Sequence, residues 1–301
     1  MFNELQEQII ALKKEKNAII LAHNYQAVEI QQIADFTGDS LQLSLQAKQA
    51  DAPLIVFCGV RFMAETAAIL NPKATVLLPE PDAGCPMADM ITAEQLRSIK
   101  EEHPGAVVIC YVNSSVEVKA ESDICCTSSN AVKVMQSIPA DKEILFVPDQ
   151  NLGTWAAVQT NRKVTCWHGY CPVHHWGFTV QDVVEMRAKY PDYAFLAHPE
   201  CTWDVVTKAD LVTSTSGMMK YAEEHDNMII ATEIGLVDLL KSLYPQKNII
   251  PLSNNAVCQN MKKTTLQHVL DALRLNQHEI KVEPAIASKA VACLERMLTL
   301  Q

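Results

Sequence analysis

Ala18-Ile19-Ile20-Leu21-Ala22 is a short apolar run that breaks off into His23-Asn24-Tyr25, three side chains able to bind or do chemistry. The pattern returns twice. Ala106-Val107-Val108-Ile109-Cys110 leads into Tyr111-Val112-Asn113, and Tyr193-Ala194-Phe195-Leu196-Ala197 leads into His198-Pro199-Glu200. His23 and Tyr111 stand 88 positions apart, and Tyr111 and His198 stand 87 apart. A period kept that closely across most of a 301-residue chain marks an internal repeat.

Two further loop sets keep the same step. Gly38-Asp39-Ser40, Thr127-Ser128-Ser129 and Ser214-Thr215-Ser216-Gly217 are small, hydroxyl-rich turns ahead of helical stretches. Cys85, Cys171 and Cys258 are separated by 86 and 87 positions. Each precedes a threonine (Thr92, Thr179, Thr264), after which an amphipathic helix is expected. With ten cysteines in the chain, equal spacing of three of them proves little alone. The agreement of three different loop types on one period carries the reading.

Between the loops, helix and strand patterns alternate. Apolar residues spaced near 3.6 (Phe2, Leu5, Ile9, Leu12; Leu96, Ile99; Val180, Val183, Val184, Met186) open each unit. Continuous apolar runs at 54–57, 144–147 and 228–231 suit strands buried on both faces. This predicts an α/β protein of three homologous three-layer αβα sandwich domains with parallel sheets, set with pseudo-threefold symmetry about a central cavity. The expected units are 1–84 with 259–301 returning to it as a tail, 85–170, and 171–258. In such folds the functional loops lie at the carboxyl ends of strands, so each unit would bring one cysteine, one hydroxyl loop and one His-, Tyr- or Glu-bearing loop to the cavity.

The composition (49% hydrophobic, 20% charged, net charge −10) is that of a globular protein. The acidic balance argues against nucleic acid or an anionic membrane as partner. The acids of Asn3-Glu4-Leu5-Gln6-Glu7 do not suit a signal peptide, and the early apolar run is too short to span a bilayer, so a cytoplasmic location is expected. Cysteines in that compartment are not a disulfide framework. Three thiolates from three domains would form a soft site suited to zinc or an iron–sulfur cluster with an open position, and the residues alone leave both open. A local zinc set from Cys166, His168, Cys171, His174 and His175 fits no standard finger spacing. Hydroxyls at strand–helix junctions are ordinarily helix caps, and strand-end Tyr or His residues are ordinarily packing.

Read together, His23-Asn24-Tyr25-Gln26, Gly38-Asp39-Ser40, Gly84-Cys85-Pro86-Met87-Ala88, Tyr111-Val112-Asn113-Ser114, Cys126-Thr127-Ser128-Ser129-Asn130, Gly169-Tyr170-Cys171-Pro172-Val173-His174, His198-Pro199-Glu200-Cys201 and Cys258-Gln259-Asn260-Met261-Lys262 resemble the quinolinate synthase (NadA) family along nearly the whole chain. The resemblance implies condensation of iminosuccinate (iminoaspartate) with dihydroxyacetone phosphate to quinolinate, phosphate and water in NAD biosynthesis. It also implies a [4Fe-4S] cluster on Cys85, Cys171 and Cys258, and an aspartate oxidase or dehydrogenase upstream that supplies iminosuccinate. On that basis Tyr25, Glu200 and His23 are the acid–base candidates. The substrate-binding candidates are His23, Ser40, Tyr111, Val112, Asn113, Ser128, His198, Pro199, Glu200 and Thr215, and Lys220 is expected to add local positive charge. Cys58, Cys110, Cys125, Cys126, Cys166, Cys201 and Cys293 are expected to be structural.

Overall fold

The structure is a computed structural model that describes residues 2–300; Met1 and Gln301, the ends of the expected first unit and its tail, lie outside the described residues. The first unit runs α1 (Glu4–Glu15), β1 (Ala18–His23), α2 (Val28–Gln31), β2 (Phe36–Gly38), α3 (Ser40–Gln49), β3 (Leu54–Cys58), α4 (Arg61–Leu70) and β4 (Thr75–Leu77). The second runs α5 (Ala93–Glu102), β5 (Val107–Tyr111), α6 (Val116–Ala120), β6 (Ile124–Cys126), α7 (Ala131–Ser137), β7 (Ile144–Val147), α8 (Gln150–Thr160) and β8 (Val164–Cys166). The third runs α9 (Pro172–Trp176), α10 (Val180–Lys189), β9 (Ala194–Ala197), α11 (Trp203–Val206), β10 (Leu211–Val212), α12 (Thr215–Glu224), β11 (Asn227–Ala231), α13 (Ile234–Leu243) and β12 (Asn248–Pro251). Helices α14 (Gln259–Lys262), α15 (Leu266–Leu275) and α16 (Pro284–Leu298) complete the chain.

The three four-stranded sheets share one topology: β2-β1-β3-β4, β6-β5-β7-β8 and β10-β9-β11-β12. Every named strand pair is parallel. This is the expected α/β architecture of three helix-covered parallel sheets. The apolar middle runs became β3, β7 and β11, and β3 and β7 are buried at every position. In the first sheet Ile20 joins the core under α1 and α15, while Leu21 joins the core shared with the second unit, so successive side chains feed opposite faces. Winding reverses between the first and third strands of each sheet, and loops leaving those strands therefore border a crevice at the sheet's carboxyl edge.

The opening helix of each unit is stopped and started locally. Asn3, Thr92 and Thr179 each form a capping box with the residue three positions on. Thr265, not Thr264, caps α15, accepting from the His268 N–H. The two tail helices divide. Helix α15 seats on α1 and β3, whereas α16 seats on α6, β6 and α4. The reason is the apolar face Ala290, Cys293, Leu294, Met297 and Leu298, which is buried in the core that the first two units share.

Candidate active site

One cavity is bordered by all three units. The cysteines reach it from equivalent positions. Cys171 and Cys258 are the residues just before α9 and α14, and Cys85 precedes a single 3₁₀ turn at Ala88–Met90. Each Cys carbonyl accepts from the N–H four residues on: Asp89 at 3.3 Å, His175 at 2.8 Å and Lys262 at 3.2 Å. All three sulfurs therefore sit at the start of a helical turn, where backbone N–H groups favour a thiolate. Burial outweighs that help. It pushes the Cys85 thiol up to about 12, and Cys171 and Cys258 are also raised, by burial first and then by neighbouring negative charge.

Most of the sequence-named residues line this cavity: His23, Tyr25 and Ser40 from the first unit, Tyr111, Asn113 and Ser128 from the second, His198, Glu200 and Thr215 from the third. Val112 and Pro199 do not line it. Val112 is buried, and its N–H is bonded to the Cys126 carbonyl at 2.8 Å. Lys220 borders a separate outer depression. Ser40 and Thr215 open α3 and α12, but Asp39 already takes the Leu41 and Gln42 N–H groups and Ser214 takes that of Gly217. An anion at these turns would meet hydroxyls more than free helix donors. Ser128 lies in the turn before α7, which Asn130 precedes. The Asn113 Oδ1 is buried without a partner, an acceptor turned toward no protein donor.

A hydrogen-bond chain crosses the cavity wall through all three units. The Tyr25 hydroxyl bonds to Thr232 Oγ1 at 2.8 Å, and Thr232 Oγ1 to His174 Nε2 at 3.0 Å. His174 Nδ1 lies 2.7 Å from Glu200 Oε2, and the Tyr111 hydroxyl donates to Glu200 Oε1. Burial would raise the Glu200 carboxyl, but His174, His198 and the Tyr111 hydroxyl together hold it below the ordinary range as an anion. The phenols of Tyr25 and Tyr111 are raised, by burial and then by Glu200, and so are protonated donors. Burial lowers His23 to about 4 and His198 to about 3, so both rings are neutral near pH 7. His23 Nδ1 accepts the Tyr25 N–H at 3.1 Å and His198 Nδ1 accepts the Glu200 N–H at 3.3 Å, which places each ring proton on Nε2.

Thr232, Glu233 and Asp39 contribute to the site without having been singled out by sequence for a role, and His174 was singled out only within the local zinc set. That set is not assembled. The one trio of potential metal-ligand atoms within 4.8 Å of one another among the described residues is Cys171, His174 and Glu200, and it excludes Cys166, His168 and His175. His174 and Glu200 are already bonded to each other there.

Residues 7–299 match the family profile described as quinolinate synthetase A protein. Similar curated proteins are the quinolinate synthases of Methanoregula boonei, 53% identical over 298 residues (98% of each chain), and of Dehalococcoides mccartyi, 52% identical over 301 residues (99% of each chain). That of Alkaliphilus metalliredigens is 53% identical over 300 residues, again 98% of each chain.

Proposed function

This chain belongs to the quinolinate synthetase A family, and we propose that it condenses iminosuccinate with dihydroxyacetone phosphate, giving quinolinate, phosphate and water. The observation that carries the reading is the meeting of repeat-related Cys85, Cys171 and Cys258 at one cavity beside the Tyr25–Glu200–Tyr111 chain. The thiols suit a [4Fe-4S] cluster better than one zinc ion. Zinc–thiolate bonds of about 2.3 Å would gather the sulfurs within about 4 Å of one another. The three cysteines form no set within 4.8 Å, whereas a cluster takes its cysteines on separate irons. When bound there, the cluster would supply a Lewis-acidic iron without a protein ligand.

The chain's own residues supply the rest. The neutral Nε2–H groups of His23 and His198 and the hydroxyls of Ser40, Ser128 and Thr215 would hold the phosphate and carboxylates, and Asn113 Oδ1 would accept from a substrate N–H or O–H. Tyr25 and Tyr111 deliver protons, and Glu200 with His174 takes one up and passes it along the chain. Such steps are what isomerisation, loss of water and ring closure demand.

The test is anaerobic. Purified protein should carry about four irons and four sulfides per chain and form pyridine-2,3-dicarboxylate from the two named substrates. Single Ala replacements at Cys85, Cys171 and Cys258 should each abolish cluster and product, while Cys58→Ala should keep both. Product formed by a cluster-free variant, or none formed by the loaded protein, would defeat the proposal.

A further inference from the structure

The short helix α14 follows directly on Cys258 and ends at Lys262, and it grips the turn that carries Tyr25. Lys262 Nζ donates to the Tyr25 carbonyl at 2.5 Å. One residue earlier on α14, the Met261 carbonyl accepts from Gln26 Nε2 at 2.9 Å. The ammonium also bridges both oxygens of Glu233, at 3.0 Å and 3.3 Å. Glu233 is fully buried, and its two oxygens accept the Cys258 N–H at 3.0 Å and the Gly235 N–H at 2.7 Å. One carboxylate thus fixes the backbone of a thiol residue and, through one ammonium, the backbone of a phenol residue more than two hundred positions away.

The neighbouring Thr232 holds the other end of the same tyrosine, with its Oγ1 2.8 Å from the hydroxyl. Carbonyl and hydroxyl of Tyr25 are both set by the Thr232-Glu233 pair, the first indirectly. Gly235 leaves the room for this. A Cβ there would stand 2.5 Å from Lys262 Nζ, 2.7 Å from Glu233 Oε2 and 2.8 Å from the Tyr25 carbonyl oxygen.

We propose that Lys262, clamped by Glu233, is a positioning residue that locks the Tyr25 turn to the Cys258 helix and so aims the Tyr25 hydroxyl at the reacting substrate. The proposal rests on Tyr25 acting as the acid described above. Misplacement of a reacting group by about 1 Å can cost about 100-fold in rate, and an ammonium on a peptide carbonyl is a strong local restraint.

The experiment compares anaerobically prepared wild type, Lys262→Met and Lys262→Arg by amide hydrogen exchange and steady-state kinetics. In K262M the amides of residues 24–26 should exchange about tenfold faster. Its kcat should fall about 100-fold with KM within about threefold, at unchanged iron content. K262R should regain most of the protection and part of kcat. Unchanged exchange at residues 24–26 in K262M overturns the proposal whatever happens to activity. Faster exchange with an unchanged kcat also overturns it, as does a K262R variant as loose as K262M. If K262M does not fold, Gly235→Ala replaces it, with the same expected and opposing results. Should the wild type make no quinolinate, the activity proposed above fails, yet the exchange comparison still decides whether the tie exists.

Discussion

A histidine walled off from water resists taking a proton, and in His23 and His198 burial outweighs the opposing pull of nearby carboxylates. Their folded values, about 4 and about 3, lie below the ordinary 6.5. Between those limits the unfolded chain binds protons that the folded chain refuses. Stability is therefore complete above about pH 6.5 and declines as pH falls toward the folded values, by up to about 1.4 kcal/mol per pH unit for each ring. The urea midpoint of unfolding should drop between pH 7 and pH 5 and stay level from pH 7 to pH 8. His23→Asn keeps an acceptor for the Tyr25 N–H and removes one titrating ring, so its acid decline should be shallower. A decline as steep as the wild type's would mean that His23 is not held neutral. The same residues show how much of the site was legible: a His or Tyr at the end of an apolar run could be placed because strand ends border the crevice. Its neutral state could not, because burial arises from other units.

The repeat also has a device at the scale of single elements. Asp35, Asp123 and Asp210 stand at the entry to the edge strands β2, β6 and β10. Each accepts a first-strand N–H through Oδ2, from Ile20 at 2.7 Å, Val108 at 2.8 Å and Phe195 at 2.7 Å. Each returns its own N–H to the same residue's carbonyl, at 2.8, 3.1 and 2.8 Å. These clamps fix the register of a two- or three-residue strand that has little ladder of its own. Asp123→Ala should lower the unfolding free energy by about 1–2 kcal/mol, while Asp123→Asn, which keeps an acceptor, should lose less than half of that. Equal losses in urea titrations would refute the clamp. These aspartates keep the 88- and 87-residue steps and could have been found by a search for identical residues at the period. The loops after β3, β7 and β11 were harder to see. They hold Val60, Asp149 and Glu233 at nearly corresponding places, and the three differ in chemistry. Repetition exposes what the units share; the asymmetric chemistry, with Thr232, Glu233 and His174 in the third unit alone, follows from which neighbours each loop meets after folding.

Across the whole molecule, the three units also meet at one carboxylate in the cavity wall. Asp39 Oδ2 accepts from Ser129 Oγ at 2.5 Å and from Ser216 Oγ at 2.6 Å, one hydroxyl from each of the other units. Their preceding neighbours, Ser128 and Thr215, line the inner cavity, while Ser129 and Ser216 line the outer depression, so the wall between the two spaces is one residue thick. The Asp39 side chain is also spent on capping α3, and it cannot turn to another partner without releasing that helix. Removing one serine leaves Oδ2 a hydroxyl and should cost less than about 1 kcal/mol. Removing both strands a nearly buried charged oxygen, and S129A/S216A should cost about 1–3 kcal/mol, more than the two single losses together. A double-mutant cycle on thermal unfolding measures that excess. Strict additivity would mean that the two hydroxyls do not share the carboxylate. The excess would mean that three units, alike in their sheets, are coupled through a contact present once in the molecule.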